Sequence, residues 1–222
     1  MTPFRLISSP INEEDLLSRC LAIEGLNFLQ LATLTQFPIP AQPSKRKGWA
    51  GTAIEISLGT TAGSKPVPDF YELGIELKTI PIGANRKPTE STFVTSIPLL
   101  TIHNQIWDSS QCYLKLKRVL WIPIEGNTQI PFEQRRIGQA FLWSPNIEEH
   151  EVLARDWHQL SHMIGAGKLE EVDASMGDYL QVRPKGANAR SLCYGFDSEG
   201  NKIATLPRGF YLRTRFTETL IK

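Results

Sequence analysis

Apolar positions spaced three and four apart alternate along this chain with short stretches of period two, and the two patterns together mark out an α/β protein. Asn12 stands as an N-cap, with Glu13, Glu14 and Asp15 at the positive end of the helix dipole. Leu16, Leu17, Cys20, Leu21 and Ile23 then form a broad apolar stripe that Gly25 stops. A second short helix is predicted over Phe28–Leu34. A third is predicted over Trp49–Leu58, with Ala53, Ile54 and Leu58 facing inward, Glu55 mid-helix and Gly59 at the end. Between these two, Pro38, Pro40 and Pro43 forbid regular structure. From Asp69 to Pro81 the text D-F-Y-E-L-G-I-E-L-K-T-I-P reads as one strand: Leu73, Ile75, Leu77 and Thr79 on one face, Gly74, Glu76 and Lys78 on the other. A polar turn at 83–88 follows. Further strands are predicted at 92–97, 118–124 and 137–143, the second a nearly unbroken apolar run suited to a sheet interior. Asn146 caps a long helix over 147–164 whose Val152, Leu153, Trp157, Leu160 and Ile164 face inward. Strands at 179–183 and 209–216, separated by polar loops, fill the last third. No internal repeat, heptad or low-complexity tract interrupts this order.

With 222 residues, 41% hydrophobic and 21% charged, the chain has material for one large domain or two closely joined lobes. No apolar run approaches the roughly 20 residues of a membrane span. The opening M-T-P-F-R-L-I-S-S-P lacks the apolar segment of an export signal. Cys20, Cys112 and Cys193 are odd in number and dispersed, which argues against a disulfide framework and for a reducing compartment, the cytoplasm. Net charge is only +1, yet the basic residues cluster: Lys45-Arg46-Lys47; Lys115, Lys117 and Arg118; Arg183, Lys185 and Arg190; and Arg208, Arg213 and Arg215. Clustering, more than net charge, is what a DNA-binding surface needs.

Candidate chemistry concentrates on the strand at 69–81. Glu76 and Lys78 lie side by side on one face, and Asp69 begins the segment. Two carboxylates hold a hard divalent cation, and a lysine beside it orients or deprotonates an attacking water. The alternative is a solvated cross-strand ion pair of little energetic worth. The Gly-rich stretch from Gly59 to Lys65 imitates a phosphate-binding loop but is one residue short, with Pro66 where Ser or Thr is required, so a nucleoside-triphosphate site is rejected. His158 and His162 are spaced as in zinc proteases, but the sequence between them is Gln-Leu-Ser, without the glutamate that chemistry uses; His103 and His150 receive no role. The segment Arg183-Pro184-Lys185-Gly186-Ala187-Asn188-Ala189-Arg190 leaves a strand carrying two guanidiniums, an ammonium and an amide. It reads base edges, contacts phosphates or is merely a solvated loop.

Several blocks taken together resemble one family. They are Asp69 with Glu76 and Lys78 in the pattern D-x6-E-x-K; Lys47-Gly48-Trp49; Thr61-Ala62-Gly63-Ser64-Lys65; Leu73 to Thr79; Trp121-x-Pro123-Ile124-Glu125-Gly126; Arg183 to Asn188; and Leu206-Pro207-x-Gly209-Phe210-Tyr211-Leu212-Arg213. In order, and over nearly the whole chain, they resemble the MutH family of the restriction-endonuclease-like nucleases. The resemblance implies a single endonuclease domain over 1–222, with a mixed central sheet flanked by helices and two lobes around a DNA-binding cleft. It implies Mg²⁺ on Asp69 and Glu76, Lys78 serving the attacking water, Glu55 as a further ligand or as partner of the lysine, and Lys115 as a second active-site lysine. It implies DNA contacts by Lys47, Phe93, Arg183, Pro184, Lys185 and Tyr211, with a core role for Phe93 in its strand as the alternative. The activity implied is nicking of the unmethylated strand 5′ to the guanine of hemimethylated GATC in methyl-directed mismatch repair, by a monomer activated by MutL after MutS finds a mismatch. A GATC-specific type II restriction enzyme would share this chemistry but needs two active sites to cut both strands, and the chain has one acidic-lysine motif. A DNA-binding module without catalysis has no use for Asp69, Glu76 and Lys78 together.

Overall fold

The structure, a computed structural model, describes residues 7–63, 65–185 and 191–221. In chain order its elements are α1 (Glu13–Ile23), α2 (Phe28–Thr35), α3 (Trp49–Leu58), β1 (Glu76–Ile82), β2 (Thr92–Ser96), α4 (Gln111–Leu114), β3 (Val119–Glu125), β4 (Phe141–Trp143), α5 (Ile147–Gly165), β5 (Leu180–Pro184), β6 (Cys193–Phe196), β7 (Lys202–Thr205), β8 (Arg208–Leu212) and α6 (Thr214–Leu220). This is the mixed α/β architecture the periodicity predicts. The elements fall into two compact units with interleaved sequence: Met1–Thr89 with Arg118–Ser144, and Glu90–Lys117 with Pro145–Lys222. None of the described helices is long and apolar enough to cross a membrane.

In the first unit β1 runs parallel to β3, pairing Glu76 with Val119 and Lys78 with Trp121, and β4 adds antiparallel to the other side of β3. A parallel pair requires a long crossover; here that crossover, residues 83–118, passes through the second unit. Leu16, Cys20 and Ile23 of α1, Phe28 and Leu31 of α2, and Ala53, Ile54 and Leu58 of α3 form one buried cluster with Ile75, Leu77, Leu120 and Ile122. The caps follow the sequence: Asn12 accepts the Asp15 N–H at 2.8 Å, and Asn27 with Gln30 forms a reciprocal capping box. The apolar stripe of α1 is narrower than its composition suggests, because Leu21 points to solvent at 66% exposure.

One difference matters for function. The segment from Asp69 is not a continuous strand. Residues Tyr71–Leu73 make a 3₁₀ turn, Gly74 takes a left-handed conformation (φ 66°), and Phe70 pairs antiparallel with Ile75 before β1 begins at Glu76. In one extended strand Asp69 and Glu76 would lie about 23 Å apart, on opposite faces because their separation is odd. The fold-back removes both obstacles.

In the second unit β8 is the centre of an antiparallel sheet, ordered β2-β8-β5. Phe93 opposes Tyr211, but Thr95 opposes Phe210 and Ser96 opposes Gly209, so β2 carries a bulge between Phe93 and Thr95. Helix α5 has the capping box Asn146–Glu149 and packs on β5 through a buried side formed by Leu153, Trp157, Leu160 and Ile164. Asp156, also buried on α5, accepts the N–H groups of Asp178, Tyr179 and Leu180 at 2.7, 2.6 and 3.0 Å, fixing the entry to β5. The strand predicted at 209–216 ends at Leu212, where Arg213 takes an extended conformation and α6 begins. The strand predicted at 137–143 is reduced to β4, with Ile137 making a lone bridge to Ile124. The polar loops expected between the last two strands contain the hairpin β6–β7, turned on Asp197, whose Oδ1 accepts the N–H groups of Glu199 and Asn201.

Candidate functional site

The first unit assembles two carboxylates and an amine. Glu76 opens β1 and is 1% exposed. Its own N–H donates to the Arg118 carbonyl at 3.0 Å, which anchors it to the start of β3. Lys78, two residues on and therefore on the same face, donates from Nζ to Glu76 Oε1 at 2.6 Å; the two side chains are 14% and 2% exposed. A solvated pair would show neither that burial nor that length, so the bland reading of Glu-x-Lys fails for this strand. Asp69 is delivered by the fold-back: its Oδ2 accepts the Leu77 N–H at 2.9 Å, beside Glu76 in the chain. Its carbonyl in turn accepts the N–H groups of Thr61 and Ala62, the residues that follow α3. Helix α3 packs on β1 and ends at Gly59, and its Glu55 accepts the Gly59 and Thr60 N–H groups on its main-chain carbonyl. Lys115, half-buried at the C-cap of α4, belongs to the second unit, three residues before the Arg118 carbonyl that holds Glu76.

Would these residues suit a metal ion? The donors are hard carboxylate oxygens held within one hairpin, which fits a small oxygen-seeking divalent cation such as Mg²⁺ and not a soft thiophile. Among the described residues no group of three or more His, Cys, Asp and Glu is disposed to hold a metal, so the donor set on offer is the Asp69 and Glu76 pair. Waters complete such a shell readily.

The second unit gathers four of the predicted DNA contacts on one face of β2-β8-β5. Phe93 and Tyr211 meet edge-on, with centroids 5.3 Å apart. Lys185 Nζ sits 3.5 Å from the Phe93 ring centroid and donates to Ser96 Oγ at 3.1 Å. The Arg183 guanidinium carbon lies 5.9 Å from the Tyr211 ring centroid, and Arg183 donates to Ser91 Oγ at 2.6 Å. Phe93 and Tyr211 are half-buried, while Arg183, Pro184 and Lys185 are exposed. Partial burial pushes the Tyr211 phenol above its ordinary value, Arg183 pulls it down, and Glu90 raises it. The phenol therefore stays protonated at neutral pH and offers both a donor and an acceptor. Residues 186–190, which include Asn188 and Arg190, lie outside the described residues.

Other members of the basic clusters are engaged in holding the fold. Arg46 pairs with Glu133 at 2.9 Å and lies over the Phe132 ring, whereas Lys45 and Lys47 beside it are exposed. Arg118 forks onto both oxygens of Glu13. Arg213 donates to the Ala174 and Met176 carbonyls, and Arg215 to Asp178. Sequence reasoning missed Ser91 and Ser96, whose only sign was their place near Phe93. Gly209 stands in one of the family blocks, and the structure supplies its reason: a Cβ there would come within 2.9 Å of the Phe93 ring and 3.3 Å of the Tyr211 ring, so the aromatic pair requires glycine.

A buried glutamate and lysine with one residue between them on a strand, and a second carboxylate held to the same strand, are the arrangement expected of a nuclease of the restriction-endonuclease-like class. The family profile described as DNA mismatch repair enzyme MutH matches residues 58–156. Relatives extend the likeness to 96% of the chain: the DNA mismatch repair protein MutH of Yersinia pestis (strain Pestoides F) is 48% identical over 212 residues and 93% of its own length. Those of Pasteurella multocida (strain Pm70) and Vibrio campbellii (strain ATCC BAA-1116) are 47% and 46% identical, over 96% and 94% of theirs. The chain belongs to the MutH family of mismatch repair endonucleases.

Proposed function

We propose that this protein nicks the unmethylated strand of duplex DNA at hemimethylated GATC sites, 5′ to the guanine, by Mg²⁺-dependent phosphodiester hydrolysis in methyl-directed mismatch repair. The observation that carries the catalytic half is the Glu76–Lys78 contact at 2.6 Å within a buried strand, with Asp69 returned to the same place by the Phe70–Ile75 bridge. Asp69 and Glu76 would hold the cation, which when bound supplies charge stabilisation at the scissile phosphate. Lys78, whose Nζ donates to Glu76 Oε1, serves the attacking water, orienting or deprotonating it. Glu55 is proposed as a further ligand or as partner of the lysine, and Lys115 as a second active-site lysine.

Selection belongs to the second unit. Arg183 and Lys185 carry donors suited to guanine O6 and N7. Tyr211, with Phe93 against it and Pro184 on the neighbouring strand β5, meets the adenine, where N6-methylation removes a donor proton and adds bulk. Lys47, exposed on the first unit, contacts the backbone. The protein acts as a cytoplasmic monomer on instruction from MutL, downstream of MutS, and the single acidic-lysine motif suits a nickase better than a type II restriction enzyme.

The test is a nicking assay on unmethylated, hemimethylated and fully methylated GATC duplexes with Mg²⁺. Glu76→Ala is expected to abolish nicking while leaving metal-free duplex binding intact. Persistent nicking by that variant would remove Glu76 from the centre, and rapid cutting of both strands without MutL would favour the restriction-enzyme reading.

A further inference from the structure

A β-bulge gives the second unit a feature that its side chains alone do not. In a regular strand, Phe93 and Ser96 are three residues apart and point to opposite faces of the sheet. The bulge between Phe93 and Thr95 inserts one extra residue, so that Phe93 opposes Tyr211 and Ser96 opposes Gly209. Tyr211 and Gly209 are two apart on β8 and share a face, so Phe93 and Ser96 share it as well. The re-aimed Ser96 hydroxyl then meets Lys185 Nζ at 3.1 Å while the ammonium rests 3.5 Å from the centre of the Phe93 ring. Gly209, between them in register, keeps the face flat enough for this. On the other flank Ser91, two residues before Phe93, holds Arg183 at 2.6 Å.

We propose that Ser96, turned onto this face by the β2 bulge, is a positioning residue for Lys185, with Ser91 serving Arg183 likewise, so that the two basic side chains are oriented for sequence reading before DNA arrives. The proposal rests on the reading of Lys185 and Arg183 as base contacts. Its physical basis is preorganisation. Lysine and arginine have among the largest rotamer freedoms of any side chains, and fixing them in the free protein reduces the ordering cost of binding. The ring of Phe93 supplies the second restraint on Lys185 by attracting its charge. Serine is well suited to the task, because its hydroxyl accepts from the ammonium and is short enough to leave the ammonium's remaining protons facing outward.

The experiment compares kcat and KM for nicking of hemimethylated GATC with a duplex altered at the guanine, in wild type, Ser96→Ala, Ser96→Thr and Lys185→Ala. Ser96→Ala is expected to lower the discrimination ratio about fivefold, the size of one modest hydrogen bond, mostly through KM on the GATC duplex. Ser96→Thr, which keeps the hydroxyl, is expected to restore it. A ratio unchanged in Ser96→Ala but lowered in Lys185→Ala overturns the positioning role while leaving the base contact standing. A ratio unchanged in Lys185→Ala overturns the base contact itself. Equal losses in Ser96→Ala and Ser96→Thr, with lowered thermal midpoints, would make Ser96 a packing residue and refute the proposal. Ser91→Ala with Arg183→Ala forms the matching set, with the same outcomes.

Discussion

Lys78→Met isolates the energetics of the buried pair. Methionine keeps much of the lysine stem and removes the ammonium that donates to Glu76 Oε1 at 2.6 Å. The carboxylate it leaves is on a side chain 2% exposed. Breaking one side of a buried pair costs about 3–5 kcal/mol. The lysine side chain is 14% exposed, so water already screens part of the contact, and the low end, about 3 kcal/mol, is the expectation. In a chain of this length 1 kcal/mol moves a melting midpoint by roughly 2–4 °C, so the first unit should melt about 6–12 °C lower in EDTA. Tryptophan fluorescence during heating reads this, since Trp49 and Trp121 are buried in that unit. Mg²⁺ supplies the second arm. A cation bound by Asp69 and Glu76 replaces the lost counter-charge, and at a hundred times its Kd it adds about 2.7 kcal/mol. Most of the deficit should therefore return on adding Mg²⁺, without any DNA present. A variant that melts within about 1 °C of wild type in EDTA would show that Glu76 is satisfied without Lys78. A midpoint in either protein that ignores Mg²⁺ would remove the metal from this pair.

Asp156→Ala strips one acceptor from three main-chain N–H groups at the entry to β5, and the expected loss is about 3–5 kcal/mol in the second unit, with faster amide exchange at Leu180. Unchanged exchange at Leu180 would show that another acceptor holds that turn. Tyr211 gives a pH signature: with its phenol raised above the ordinary 10.0, the folded protein keeps a proton that the unfolded chain releases, so this contribution is complete below pH 10 and is lost as pH rises through the folded value. Phenolate absorbance of wild type minus Tyr211→Phe should rise later than that of a free tyrosine, and later still in Arg183→Ala. An earlier rise would contradict the burial of the ring.

The parts of this fold that were legible in the sequence are those governed by neighbours in the chain. Helices α1, α2 and α5 carry their start signals in the chain at Asn12, Asn27 and Asn146, whose caps close within three residues, whereas α3 starts at Gly48 without a side-chain cap and shows only in its apolar positions. The alternation of Leu73, Ile75 and Leu77 predicts an extended Asp69 segment, and the structure bends it. The decisive residue was Gly74, whose left-handed backbone folds the chain back, and a glycine inside an apparent strand is a sign of such a bend. The β6–β7 hairpin falls where the pattern predicts only polar loops, although Asp197-Ser198-Glu199-Gly200-Asn201 has a turn composition. No local signal separates Arg213 and Arg215, tied to carbonyls and a carboxylate around 174–178, from Arg183, because the partners that decide it are some forty to ninety residues away. The bulge in β2 is also set by tertiary pairing, and with it the role of Ser96.

The interleaving of the two units has a consequence for synthesis. The ribosome completes every segment of the first unit by Ser144, including β4, the last strand of its sheet. At that moment Asp69, Glu76, Lys78 and even Lys115 have been made, whereas Arg183, Lys185 and Tyr211 have not. The segment carrying Phe93 must wait, unpaired, for a β8 still more than sixty residues from being translated. A nascent or truncated chain ending near Ser144 would therefore hold Asp69, Glu76, Lys78 and Lys115 without Arg183, Lys185 and Tyr211, the residues proposed to select the site, and with β2 awaiting its partner. The speed of β2–β8 pairing therefore sets how long the chain stays with its first unit made and its second unit incomplete.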